Sequence, residues 1–307
     1  MKIGKLGVWS LVDSLTAGVE AQLARDIEEW GYSALWTGEA TGRDVLVNSA
    51  WLLANTRTLV VTSGIANIYA RDAMAMAAAR AQLNEHSNGR FLLGIGISHA
   101  PLVNSVRGHA YDKPVTTMRT YIEAMARARY SSPLPSEPPL TVLAALGPKM
   151  LALARDLADG AHPYNTTVSQ TAEARSILGP GKLLCVEQKI VLESDPRRAR
   201  EIARANLRPY LALPNYVNSW RRAGFDDRDL AGNLSDRLVD ALVAWGTEEA
   251  LVARIREHWA AGADHVCIHA LHPDPKKLMV AGPDVSLLKR LAPLARESNV
   301  RSVIRGT

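Results

Sequence analysis

The chain has 307 residues, 47% hydrophobic and 22% charged, with a formal net charge of +5. That is the composition of an ordinary soluble protein, long enough to bury a sizeable core in one large domain or two smaller ones. The positive charge is mild and scattered, which suits an acidic small ligand and argues against a nucleic-acid surface. The densest basic run, Arg197, Arg198, Arg200 and Arg204, has the spacing of a solvated helix face.

In chain order, short β-rich runs alternate with helical patterns. MKIGKLGVWS enters a strand directly, without a long apolar leader. Strands are expected at Lys5–Trp9, Ala34–Gly38, Leu59–Ala66, Arg90–Ile97, Leu140–Leu146, Gly160–Pro163, Leu183–Leu192 and His265–Ala270. Helical periodicity falls between them, at Thr16–Trp30 (Val19, Leu23, Ile27 and Trp30 on one face), Asp72–Glu85, Thr116–Ala128, Lys149–Ala158, Asp195–Leu207 and Glu248–Ala261. Near-continuous apolar strands such as FLLGIGI and TVLAAL predict burial on both faces, as in parallel sheets. About eight strand-helix units predict an α/β fold, a single (β/α)8 TIM barrel over residues 1–307. The spacing widens at 98–114 and 209–240, segments long enough to be functional insertions at the C-terminal face of the strands. SSPLPSEPP, at 131–139, reads as a surface connection.

The stretch RFLLGIGISHA resembles the start of a dinucleotide-binding turn, but the third glycine is replaced by His99. Pro101 follows, and residues 101–120 offer only Asp112 as an acid, inside a loop, so that reading fails. Gly94 and Gly96 lie two apart on one face of their strand. They serve either tight barrel packing or a flat ligand laid across the strand ends. At those ends stand Glu39, Asn67, Tyr69, Ser98, His99, Gly147, His162, Asn165 and His269, the face where a barrel builds its site. Cys185 and Cys267 form neither a CxxC pair nor a disulfide framework. His265, Cys267 and His269 share one strand face about 7 Å apart pairwise, too far to close on one zinc, so no metal is expected. No run reaches the length of a membrane span. The expectation is a reduced, cytoplasmic protein without membrane or nucleic-acid partners.

Several motifs together resemble the bacterial luciferase-like monooxygenases, most closely the branch that uses the deazaflavin coenzyme F420. They are LWTGEATGRD (35–44), TSGIANIYARD (62–72), LNEHSNGRFLLGIGIS (83–98), HAYDKP (109–114), LAALGPK (143–149), ADG (158–160) and GADHVCIHAL (262–271). The resemblance implies a barrel with insertions, a ring system across the strand ends, and a non-prolyl cis peptide at Ser63-Gly64 or Gly64-Ile65. Carried over, it makes Glu39 the acid near the ring and puts Ser63, Gly64, Ile65, Asn67, Gly96 and Ser98 around it. Ala144, Ala145, Leu146 and Gly147 match the segment that meets the coenzyme's phosphate. Gly147-Pro148 opens a helix whose first N–H groups attract an anion. Thr166 and Thr167 begin another helix, which either holds phosphate or is capped.

Some characterised relatives of this branch, such as its sugar-phosphate and alcohol dehydrogenases, place a His directly after the acid and a Glu on strand four, positions that here read Ala40 and Ile97. The proton donor must therefore be sought among His99, His109, Tyr69 and His269, with Glu39, His99 and His269 the catalytic candidates. Arg43 is the local candidate for an ion pair with Glu39. The implied activity is hydride transfer between F420 and a small organic substrate. The alternatives are an FMN-dependent two-component monooxygenase and a barrel that binds its cofactor without catalysis. Trp51, Leu52, Met74 and Met76 offer apolar surface for a homodimer.

Overall fold

The computed structural model describes residues 1, 3–278 and 282–304, the last five of these for their backbone alone. Ten strands form: β1 (Leu6–Ser10), β2 (Ala34–Thr37), β3 (Val60–Ser63), β4 (Ala66–Asn67), β5 (Phe91–Gly96), β6 (Thr141–Ala144), β7 (Gly160–His162), β8 (Leu183–Leu192), β9 (Val243–Gly246) and β10 (His265–Ala270). Every pairing is parallel, in the order β1-β2-β3-β5-β6-β7-β8, and β10 closes the ring by pairing with both β8 and β1. This is the expected (β/α)8 barrel. The eight expected strands are present. β3 and β4 divide the third of them, because the chain bulges at Gly64 and Ile65 before resuming against β5. The strand β9 was not anticipated. Its four residues, VAWG, lie along the upper end of β8, where Lys189 to Leu192 pair with Val243 to Gly246.

Alternation sorts the buried residues into compartments. Outward-facing Leu6, Val8, Leu35, Val61, Leu93 and Leu143 pack under the helices in the main core. Inward-facing Trp9, Trp36, Leu92, Val142, Cys185 and Cys267 fill the barrel. A separate cluster, including Val191, Ile202, Trp220, Leu238 and Val243, joins β8 and β9 to the helices at Pro196–Leu207, Pro214–Arg222 and Asp236–Leu242. Arg200 and Arg204 of the basic run pair with Asp236 and Asp240 on that last helix. Among the described residues no helix is long and apolar enough to cross a membrane.

Three buried histidines are locked as neutral rings. Trp36 donates its indole N–H to His265 Nε2 at 3.1 Å, and His265 Nδ1 sits 2.6 Å from the Gly4 carbonyl. His162 stacks on Trp36 at 4.3 Å, with Nδ1 2.8 Å from the Cys185 carbonyl. His258 bridges the Thr171 hydroxyl and Gln188 Oε1. Burial pushes all three down to about 4. Between pH 6.5 and 5 the unfolded chain binds protons at these rings that the folded chain refuses, so stability falls as the pH drops. Urea unfolding at pH 7.5, 6.5 and 5.5 should show a midpoint that falls on acidification, and a flat profile would contradict the neutral assignment.

Candidate active site

A cavity of about 620 Å³ opens at the C-terminal ends of the strands. Its lining includes Trp9, Gly64 and His162 from the barrel, Glu39 and Ala40 after β2, and Ile97, Ser98 and His99 after β5. Ala144 to Met150 follow from β6, and Tyr164 from β7. Both expected insertions reach it: one brings Leu102 and Tyr111, the other Tyr210, Asn215, Tyr216, Asn218 and Arg222. Of the residues singled out in the sequence, Glu39, Gly64, Ile65, Ser98, His99, Ala144, Ala145, Leu146 and Gly147 meet here. Ser63, Asn67, Gly96, Thr166, Thr167 and His269 are not in its lining.

The bulge after β3 explains several of those absences. A cis peptide joins Gly64 to Ile65. Ser63 ties the bulge to β5, its hydroxyl donating to the Gly94 carbonyl at 2.8 Å and accepting from the Gly94 N–H at 3.0 Å. A Cβ on Gly94 would stand 2.1 Å from the Ser63 carbonyl oxygen, and one on Gly96 2.7 Å from Ile65 Cδ1. The two glycines thus let β5 approach the bulge and seat Ile65, rather than touching the cavity themselves.

Glu39 holds the same bulge from the other side. Its carboxylate accepts from the Asn67 N–H at 2.7 Å and takes both ends of the Arg71 guanidinium, one at 3.0 Å. Arg71 also reaches Asp44 at 2.8 Å, the side-chain cap of the helix Val45–Ala54. The local partner expected from sequence, Arg43, turns instead to Glu20 at 2.9 Å. The Glu39 side chain is 3% exposed and Arg71 11%. Its oxygens are thus engaged by the bulge backbone and by Arg71, a charge-assisted arrangement that holds the wall.

The histidines separate. Ser98, with φ +56°, turns the chain so that His99 faces the cavity, its ring 5.5 Å from Tyr216. Burial lowers the His99 pKa, against Asn215 beside it. His269 instead lies behind Trp9, ring centroids 4.6 Å apart, with Nδ1 3.4 Å from Glu187. Screened in this way, it is no candidate for contact with a ligand in the cavity. Glu187 pairs with Lys189 at 2.8 Å, both inside the barrel and at most 1% exposed. Burial alone would raise the Glu187 carboxyl, but Lys189 and His269 outweigh it and hold it at about 2. Tyr69 and His109 pack on each other at 5.8 Å, outside the lining. His265, Cys267 and His269 each have separate partners.

The two candidate anion-binding helix starts also separate. Thr167 caps its own helix through a capping box with Gln170. Gly147 leaves the helix Pro148–Leu157 without a side-chain cap, and Arg222 stands over it, donating to the Leu146 carbonyl at 2.8 Å. Lys149 lines the same end of the cavity. An open helix start beside two cations suits a phosphate. Sequence reasoning missed Tyr164, though it shares a strand face with His162. It also missed Tyr210, Tyr216 and Arg222, although Tyr216 and Trp220 stand at helical spacing on the buried face of Pro214–Arg222.

Glu39→Gln should lower stability by about 2 kcal/mol, because it removes the charge that Arg71 and Asn67 are built around. The urea midpoint reads that loss. A normal midpoint with a turnover rate down about a hundredfold would place Glu39 in the chemistry.

Residues 6–265 match the luciferase-like monooxygenase family. A 5,10-methylenetetrahydromethanopterin reductase of Archaeoglobus fulgidus is 26% identical, over 81% of this chain and 89% of its own. A Mycobacterium tuberculosis protein named as a coenzyme F420-dependent oxidoreductase is 27% identical, over 69% and 72%. Among solved structures, an F420-dependent secondary alcohol dehydrogenase with an F420-acetone adduct superposes with a TM-score of 0.74 at 14% identity, covering 96% of this chain and 99% of that one. The FMN complex of a 3,6-diketocamphane monooxygenase from Pseudomonas putida superposes with a TM-score of 0.68 at 12% identity, covering 97% and 98%. The likeness to these structures is one of fold. The chain is an enzyme of the luciferase-like monooxygenase family.

Proposed function

We propose that the enzyme transfers a hydride between coenzyme F420 and a small organic substrate. The observation that carries this reading is the paired architecture of the cavity. A bulged wall, where Gly64 has no side chain and Ile65 is seated against Gly96, is suited to back a flat ring, and an uncapped helix start with Lys149 and Arg222 is suited to its phosphate. The sequence relative named as coenzyme F420-dependent supports deazaflavin over flavin. When bound, the reduced deazaflavin supplies a hydride from a ring carbon. The chain's own share is to hold the ring against the bulge, to anchor the anionic tail and to screen the reacting centre from water.

F420 should bind more tightly than FMN in a fluorescence titration. Arg222→Gln should weaken F420 by about tenfold, or 1.4 kcal/mol. Tight FMN binding without F420 binding would favour the monooxygenase reading.

We also propose a homodimer through the first helices. Of the four residues expected to supply its surface, Leu52 and Met76 are fully buried, whereas Trp51 is 42% and Met74 61% exposed. Val19 and Val47 are exposed on neighbouring helices. Light scattering should give about twice the 33.3 kDa chain mass, and the monomer mass at micromolar concentration would reject this assembly.

A further inference from the structure

Two phenols in the cavity wall have no part in holding a ring or a phosphate. Tyr164 stands two residues beyond β7, and its ring lies on Trp9 with centroids 5.1 Å apart. Lys189 places its ammonium 3.9 Å from the centroid of the same ring. Tyr210 comes from the insertion, in the short helix Arg208–Ala212, and packs edge-on against Tyr216 at 4.8 Å. Both phenols line the cavity, and their hydroxyl oxygens are 3.0 Å apart.

Two hydroxyls carry two hydrogens, and the bond between them uses one. Among the described residues no second hydrogen bond within geometric limits engages either oxygen, although the Asn165 amide stands beside Tyr210. One O–H hydrogen of the pair is therefore unspent. Two other polar groups of the cavity wall are less available. Glu39 is committed to Arg71. His162 uses Nδ1 at the Cys185 carbonyl, which as a neutral ring leaves Nε2 an acceptor.

We propose that the Tyr164–Tyr210 hydroxyl pair binds the reacting oxygen of the substrate and supplies its proton, so that the substrate is a carbonyl compound or, in the reverse direction, its alcohol. This rests on the reading of the cavity as a hydride-transfer site for reduced deazaflavin. In reduction, the hydride's electron pair forms a C–H bond at the carbonyl carbon. The C=O π pair moves onto oxygen, and that oxygen takes the unspent phenol proton. The phenol oxygen keeps the electrons of its O–H bond, draws a proton through its partner hydroxyl, and the pair is reprotonated from water. The Lys189 ammonium, against the Tyr164 ring, stabilises the transient negative charge. Burial raises both phenols, Tyr210 to about 12, which keeps the pair protonated at neutral pH.

The cofactor-free protein tests the recognition step with cyclohexanone and methylenecyclohexane, which differ only in oxygen against CH2. Calorimetric or tyrosine ultraviolet-difference titration should show the wild type preferring the ketone by at least about tenfold. In Tyr164→Phe/Tyr210→Phe that preference should fall to about twofold or less. The F420-loaded double variant should also lose about a hundredfold in ketone reduction across a panel. No ketone preference in the wild type would overturn the proposal without any variant having to fold. A preference that survives in the folded double variant would overturn it equally. If F420 fails to bind while the ketone preference holds, the hydride-transfer reading falls and the oxygen-recognition step stands.

Discussion

A closed barrel of eight parallel strands must fill its own interior with side chains, and the way it does so decides where a ligand can enter. Here the lower interior is packed with flat rings: Trp36 lies on His162 and hydrogen-bonds His265. Higher up, one side carries Gly64, Gly96 and Ala144, and the opposite side carries Trp9, Tyr164, Glu187 and Lys189. Gly64 gives its space to Trp9 and Gly96 gives its space to Ile65, so the small residues let neighbouring groups close in. The cavity lies over the line where the two sides meet. Two charges at most 1% exposed survive in such a place only because they neutralise one another, with His269 adding a contact to the carboxylate.

The bulge depends on a second, more distant set of charges. Arg71 is drawn to Glu39 at the end of β2 and to Asp44 at the start of the next helix. One guanidinium therefore spans three chain segments around the turn that shapes the cavity wall. Hydrogen bonds from Ser63 to Gly94 pin that turn from the opposite side. The wall is thus fixed before any ligand arrives, which is what a site needs if binding is not to bear the cost of ordering it.

The barrel was legible in the sequence because parallel strands buried on both faces are written as apolar runs, and FLLGIGI and TVLAAL are hard to read otherwise. The family motifs brought most of one cavity wall into view. What stayed hidden was non-local. Arg43, four residues from Glu39, is its obvious partner along the chain, yet the fold sends Arg43 to Glu20 and brings Arg71 from 32 residues away. The paired glycines left two readings open, and only the 2.1 Å approach to Ser63 decides for packing at Gly94. VAWG is too short for its alternation to register as a strand. Tyr164 was accessible in principle, since it shares a face with His162, but nothing in one sequence announces that Tyr210 will meet it from 46 positions on.

The insertion that carries Tyr210, Tyr216 and Arg222 is not draped over the barrel as a loose loop. It has an apolar centre built on Trp220, Leu238 and Ile202, apart from the core beneath the other helices. A segment that stabilises itself can exchange its cavity-facing residues without disturbing the strands that shape the ring wall. Through Arg222, which donates to the Leu146 carbonyl, the same segment also bears on the helix start at Gly147, so what it exchanges is felt beyond one end of the cavity.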